Sequence, residues 1–329
     1  MVQRVEHSTK GAILKLLYTH NDQFLSGQWI SEHIGCSRTA VWKHIQSLIA
    51  EGYQISSVQK KGYKLIDAPM GLSEAAVSAH LTTKVIGRHI CFYDSIGSTQ
   101  KEALRLADEG AEHGTVVLTN EQTSGRGRLG HTWQSQRGTN IALSLILRPE
   151  LPIDQTPQLT LLTAVAAAET IEKQAGLSCG IKWPNDLLFE GKKLVGILTE
   201  LMAEATYVKA VVIGIGFNVN TTAFPDPIKS EAASFASLTG KQFALAPIVQ
   251  QFFASFETLY QLYLSEGFKK IRPLWEKRAL NLGKQIKVRQ PGGRVLIGTA
   301  LGINDDGVLR LKKTDGTIAN VYSADVEWD

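Results

Sequence analysis

The sequence predicts an α+β chain in three parts: a small helical module closed by a hairpin, a larger body of strands and helices, and a C-terminal run of short strands. Three observations carry this. Apolar residues recur at helical spacing between Ile13 and Leu48 and are followed by two strand-like runs around a Lys-Lys-Gly turn. Apolar strand-like runs such as Ile141 to Leu147 then stand among long Ala- and Leu-rich helical stretches. Beyond Arg272, short strand-like runs are separated by Pro-Gly-Gly, Asn-Asp-Asp-Gly and Thr-Asp-Gly. At 329 residues the chain exceeds a usual single domain. Its Pro- and Gly-bearing stretches set the parts at 1–67, 68–271 and 272–329.

Composition bounds the function. An apolar fraction of 43% with 20% charged residues describes a soluble globular protein. No run reaches the about eighteen apolar residues of a membrane span. Charge interrupts Met1 to Thr19 where a signal peptide needs an apolar core, so the expected location is cytoplasmic. Cys36, Cys91 and Cys179 are odd in number and far apart, which points away from a disulfide framework or a CxxC metal site. The net charge of +4 is local: Met1 to Ile66 holds eight Lys and Arg against four Asp and Glu, the whole of the excess. Nucleic acid is the natural partner of such a module.

Each element of that module has a local cause. Ile13, Leu16 and Leu17 make one helical face across Lys10 to His20, with Ser8 or Thr9 available as cap. Ser26 caps a second helix ending at Ile34, and Gly35 stops it. Ser37 caps a third, whose Val41, Ile45 and Leu48 fall at i, i+4 and i+7, with Gly52 as its stop. The first turn and other side of this helix present Ser37, Arg38, Thr39, Lys43 and Gln46, residue types that meet base edges and phosphates. Tyr53 to Leu65 forms two short strands around Lys60-Lys61-Gly62, a wing whose lysines reach towards phosphate. Three helices and a wing predict a winged helix-turn-helix; a solvated basic face for protein contacts is the competing reading.

In the central part, Asp67 to Ser73 reads as a linker and His89 to Tyr93 as a strand. Ser98, Thr99 and Gln100 open a helix running to about Glu109. Thr99 with Glu102 fits a capping box, and the same helix N-terminus offers donors to a ligand carbonyl. Thr115 to Thr119 is a strand that leads through Gln122 and Ser124 into Gly125-Arg126-Gly127-Arg128-Leu129-Gly130. Glycines allow positive φ and a nest of free N–H groups, and guanidiniums donate charge-assisted bonds to carboxylate or phosphate. An anion-binding loop is predicted, against a flexible or RNA-binding Gly/Arg segment. Trp133 is either a core aromatic or a platform for adenine.

Thr139 to Leu147 is an apolar strand that lies buried or forms a pairing edge. Pro157 to Ala175 is a helix covering the sheet. A second motif follows, Lys182-Trp183-Pro184-Asn185-Asp186 with Gly191 to Leu198, which sets a lysine at a strand end before a tight turn and another strand. Tyr207 to Val219 contains Gly214-Ile215-Gly216-Phe217-Asn218, whose glycines mark close packing or ligand approach. Thr221 to Ala233 reads as a mobile flap, and Pro247 to Ser265 as a helix. The C-terminal runs, Lys284 to Val288, Gly293 to Leu301, Gly307 to Lys312 and Thr317 to Tyr322, predict a small β-barrel.

The stretches GRGRLG and KWPND…GKKLVGIL, with GIGFN after them, closely resemble the biotin-protein ligases. With its N-terminal module the whole chain resembles the bifunctional bacterial form, ligase and repressor of biotin genes together, and CSRTAVWKHI is similar to that group's recognition-helix region. The resemblance implies a central mixed-sheet catalytic domain like that of class II aminoacyl-tRNA synthetases and a C-terminal SH3-like barrel. It implies ATP-dependent formation of biotinoyl-AMP, then transfer to a lysine of a biotin carboxyl carrier domain of acetyl-CoA carboxylase or pyruvate carboxylase.

On the same resemblance Lys182, Arg126 and Arg128 are catalytic. Biotin would be held by these three and by Ser98, Thr99, Gln100, Gln122, Gly125, Gly196, Gly214 and Gly216. ATP would meet Arg126, Arg128, Trp133, Lys182, Asn185 and Asn218, with Mg2+ accompanying it. Gln100 departs from the family's Asn by one methylene. The adenylate would serve as corepressor of a homodimer on operator DNA of biotin biosynthesis or transport genes, contacted by Ser37, Arg38, Thr39, Lys43, Gln46, Lys60 and Lys61.

Overall fold

The computed structural model describes residues 9–204 and 207–327; Ser8, one of the two caps considered for the first helix, lies outside them. The N-terminal module is α1 (Thr9–Thr19), α2 (Gly27–Ile34), α3 (Arg38–Ala50), β1 (Gln54–Val58) and β2 (Gly62–Asp67). The capping residues act as their positions require. Ser26 Oγ accepts from the N–H of Trp29, Ser37 Oγ accepts from that of Ala40, and Gly35 ends α2 at φ 75°. In the wing, Gly62 has φ +109° and passes so close to Leu25 that a Cβ would stand 2.0 Å from its carbonyl oxygen. Ile13, Leu17, Ile30, Val41, Ile45 and Leu48 are fully buried in the module's own core. Directly after the linker, α4 (Glu74–Ser78) serves two cores: Ala75 packs into this one and Ala76 and Val77 into the next.

The central part continues with β3 (Ile90–Tyr93), α5 (Thr99–Asp108), β4 (Val116–Thr119), β5 (Gly125–Arg126), β6 (Thr132–Trp133), β7 (Asn140–Leu147) and α6 (Thr156–Ala175). It then runs through β8 (Gly180–Lys182), β9 (Asp186–Phe189), β10 (Lys192–Glu204), β11 (Tyr207–Asn218), α7 (Phe235–Thr239), α8 (Leu245–Glu266) and α9 (Arg272–Glu276). Seven strands form one sheet in the order β3-β4-β7-β11-β10-β9-β8. Only β3 and β4 run parallel, so the sheet is mixed. Alternation along the strands divides their side chains. Leu143, Leu145, Ile213 and Ile215 meet α6 and α8, whereas Val117, Ile146 and Val212 meet Ala103 and Leu106 of α5. This second face is only half covered by α5.

All eight residues of β7 are buried, and β4 and β11 occupy its two edges. The reading of this strand as a pairing edge is therefore corrected: β4 and β11 leave it no free edge, with α6 and α8 covering one face and α5 part of the other. On α8, Glu257 accepts backbone N–H bonds from Lys84, Val85 and Ile86 at 2.7, 2.7 and 3.0 Å. Glu257→Ala leaves those donors without their acceptor, and should cost about 2–4 kcal/mol. The measurement is the urea midpoint of the central domain; an unchanged midpoint would contradict the assignment.

The C-terminal strands β12 (Gln285–Arg289), β13 (Val295–Ile303), β14 (Leu309–Lys313), β15 (Ile318–Val321) and β16 (Asp325–Glu327) form an antiparallel sheet in the order β15-β14-β13-β12-β16. Four of them answer to the four runs read in the sequence. The fifth, β16, is three residues long and offers one buried apolar residue, Val326, between two carboxylates. Ile286, Val288, Ala300 and Leu309 belong to the same buried cluster as the central core. Past the boundary set at Arg272, the chain still pairs with β8: Ile181 donates to the Arg278 carbonyl and Leu280 donates back to Ile181.

Candidate active site

The half of the sheet left open by α5 is paved with glycine. Cross-strand partners form the row Ala142, Gly216, Gly196, Asp186, Lys182, from β7 to β8. Above it lies a cavity lined by Thr99, Gln100, Gln122, Arg126, Arg128, Trp133, Ser144, Asn185, Lys193, Gly196, Gly214 and Gly216, among others. Ten of these twelve are residues expected to bind biotin or ATP; Ser144 and Lys193 are not.

One end of the cavity is the N-terminus of α5. The capping-box reading fails here. Ser98 occupies the cap position but makes no side-chain cap bond, and its buried Oγ has no partner. Glu102 is engaged elsewhere, accepting from the Tyr93 hydroxyl at 2.7 Å and from Arg105 at 2.6 Å, and Arg105 holds its carboxyl below the usual range. Thr99 instead donates through both N–H and hydroxyl to Gln122 Oε1, at 2.8 and 3.0 Å. The Ser144 hydroxyl stands 3.0 Å from both Thr99 Oγ1 and Gln100 Oε1. Gln100 uses its extra length to donate to the Val212 carbonyl of β11 at 3.1 Å. The result is a buried polar network at one end of an otherwise apolar floor.

The glycine-arginine loop closes over that floor. Of its three glycines only Gly130 has positive φ, beside Leu129 at φ 52°. Gly125 is required for space, since its Cβ would stand 2.5 Å from the Trp133 carbonyl oxygen. It does not line the cavity, and neither does Ser98. Arg126 is half-exposed, 4.0 Å from Glu200. Arg128 is half-buried and donates to Asn185 Oδ1 at 2.8 Å and to Ser323 Oγ at 3.0 Å, joining the loop to the β8–β9 turn and to the C-terminal sheet. Burial lowers its pKa, and Asp325 and Asp186 oppose that shift. The Trp133 ring rests on the glycines: a Cβ on Gly216 would stand 2.3 Å from it, and one on Gly196 3.0 Å. Its Nε1 is buried without a partner.

The other end carries positive charge. Lys193 Nζ lies 2.7 Å from Asp186 Oδ1 and 3.3 Å from where a Gly196 Cβ would be. Its backbone is clamped by Glu231 and Ala233, with bonds of 2.7 and 3.1 Å. Lys182 closes β8 opposite Asp186, on the same row, but is not among the cavity-lining residues. Asn218 is buried outside the cavity and donates to the Lys193 carbonyl at 3.2 Å. Sequence reading passed over Lys193 because only hairpin register separates the two lysines. The signal for Ser144 was a lone hydroxyl in an apolar run. The Thr221–Ala233 segment, expected as a flap, is tied at one end to Asn140 through Thr221 and at the other to Lys193, and none of its described side chains lines the cavity.

A second groove lies between α3 and the wing, lined in part by Arg38, Thr39, Trp42, Val58, Lys60 and Tyr63. Lys43, Gln46 and Lys61 are exposed outside its lining, and the Ser37 hydroxyl is spent on its helix cap. Among the described residues, no group of three His, Cys, Asp or Glu is placed to hold a metal, and no helix is long and apolar enough to cross a membrane.

Comparison with known proteins matches residues 92–218 to the Biotin/lipoate A/B protein ligase family, 10–64 to an HTH domain and 282–328 to the Biotin protein ligase C terminal domain. The chain is 47% identical to the bifunctional ligase/repressor BirA of Bacillus subtilis, over 96% of this chain and 97% of that one. It is 28% identical to the BirA of Escherichia coli over 91% of each. The biotin protein ligase of Aquifex aeolicus, solved in complex with biotin and ATP, superposes with a TM-score of 0.63 at 26% identity, covering 73% of this chain and 97% of its own. With near-complete mutual coverage of a relative at that level of identity, the chain belongs to the biotin-protein ligase family, in its bifunctional ligase/repressor group.

Proposed function

We propose that this chain is an ATP-dependent biotin-protein ligase and biotin-responsive repressor, with the two ends of the cavity dividing the chemistry. The observation that carries it is the joining, over one glycine-bearing floor, of a buried polar network and a cluster of cations. Thr99, Gln122 and Ser144 supply the hydrogen-bonding end for the ureido ring, with Gln100 fixing Ser144. Gly214, Gly216 and Gly196 admit the fused rings and acyl chain. At the cationic end Arg126, Arg128 and Lys193 receive the carboxylate and the α-phosphate.

A carboxylic acid has too poor a leaving group to acylate an amine at neutral pH. Its carboxylate oxygen therefore attacks the α-phosphorus of ATP, the bond to the bridging oxygen breaks, and pyrophosphate leaves. The cations offset charge developing on the phosphoryl oxygens, without a covalent enzyme intermediate. The acceptor lysine amine then attacks the acyl carbon and AMP departs. Water competes for the same carbon, so the loop and Trp133 must shield it. Lys182, one strand beyond Asp186, is assigned to the nucleotide side with Asn185 and Trp133; Asn218 acts through the Lys193 backbone. Mg2+ would enter with the ATP phosphates, which commonly supply most of its non-water ligands.

The acceptor is a carboxyl carrier domain, of acetyl-CoA or pyruvate carboxylase, and the α3–wing groove is the operator-binding surface for biotin genes. A homodimer built by strand pairing needs a free edge. β9 pairs with β10 only as far as Gly196, so Leu198 to Glu204 are paired along one side alone among the described residues, and Leu201 there is 36% exposed. That edge supports dimerisation by strand pairing. The likeness of the central domain to class II synthetases, the SH3-like form of the C-terminal sheet, boundaries at 67 and 271, and a cytoplasmic location complete the proposal. Labelled biotin offered to a carrier domain should mark one lysine only when Mg-ATP is present. Labelling without ATP, or binding without transfer, overturns the ligase reading.

A further inference from the structure

Trp42 has no place in the chemistry above. It lies on α3 beside the buried Val41, yet is 53% exposed. A single exposed apolar side chain is ordinary, but two that line one groove make a patch that binding would cover. Its place is central to the groove. It follows Arg38 by four residues and Thr39 by three, sharing their side of the helix, and all three line the groove whose other wall is the wing. On that wall Val58 is also exposed, at 38%. Phosphate contacts need cations and polar donors; Val58 supplies neither, and Trp42 supplies one indole N–H on a large apolar ring that this single donor leaves uncovered. The major groove does present one apolar feature, the C5-methyl of thymine.

We propose that Trp42 reads operator sequence, packing its indole against a thymine methyl in each half-site while Arg38 and Lys60 hold the flanking phosphates. This rests on the groove being the DNA-binding surface, and duplex DNA is the occupant its charge fits.

The full chain, with biotin and Mg-ATP, is used to select duplexes from a random pool, and each thymine of a selected duplex is replaced in turn by deoxyuridine. That exchange preserves pairing and removes only the methyl group. For the unaltered protein, one replacement in each half-site should weaken binding about fourfold per half-site, the worth of one buried methyl. Trp42→Ala should bind the parent duplex about tenfold more weakly per half-site and lose that methyl sensitivity. Trp42→Phe should keep part of it, and both variants should transfer biotin at the normal rate. Equal methyl sensitivity in the unaltered protein and Trp42→Ala overturns the proposal while leaving the groove as a DNA surface. If no duplex is selected at all, the DNA-binding reading fails first and the proposal falls with it.

Discussion

Lys193→Ala should lower biotin-dependent exchange of pyrophosphate into ATP by about 10^2–10^3-fold, the range for removing one preorganised charge from a transition state of this kind. Three cations border the cavity, but they are not equivalent. Arg126 is half-exposed and 4.0 Å from its nearest carboxylate, and Arg128 is already committed to Asn185 and Ser323. Lys193 stands over Gly196 on a backbone clamped from both sides, with Asp186 as its ion-pair partner. A ligand carboxylate or phosphate arriving there draws on a cation that is already oriented. Its loss should spare the fold, and circular dichroism checks that. Lys182→Ala in the same assay ranks the two lysines. An equal or larger loss at Lys182 would return the leading role to it.

Gly216→Val should weaken biotin binding by about 10^2-fold or more, read by calorimetric titration. Gly216 does not need glycine for its backbone, since it is absent from the positive-φ glycines. It needs glycine for space, because a Cβ stands 2.3 Å from the Trp133 ring. Without ligand, Trp133 shifts on its loop and the sheet survives. With ligand, the branched side chain fills the volume the rings require. Binding within about twofold of the unaltered protein would place biotin elsewhere than on this floor.

How far the sequence could be read depends on the range of the forces involved. Ser26, Ser37 and Gly35 were legible because a cap is settled within four residues. The glycines of β11 and the arginines of the loop were legible because spacing and residue type repeat a known pattern. That Lys193 lines the cavity and Lys182 does not was not legible, since this lies in how β8, β9 and β10 register. The capping box at Thr99 misled because Tyr93, in a neighbouring strand, and Arg105 claim Glu102. β7 could not be assigned to interior or edge from its own residues, because β4 and β11 decide that. Trp42 was hidden by being one position from a true core residue.

The glycine row has a consequence for selectivity. Ser144 on β7 and Gly196 on β10, over which Lys193 stands, are two strand spacings apart, about 10 Å. A substrate anchored by its head at Ser144 must extend across the strands before its acid group reaches Lys193. The sheet thus acts as a ruler. An acid shorter by about one spacing, 4.8 Å, would satisfy every hydrogen bond at the head and leave its carboxylate stranded over bare backbone. The enzyme would bind such a compound and never activate it.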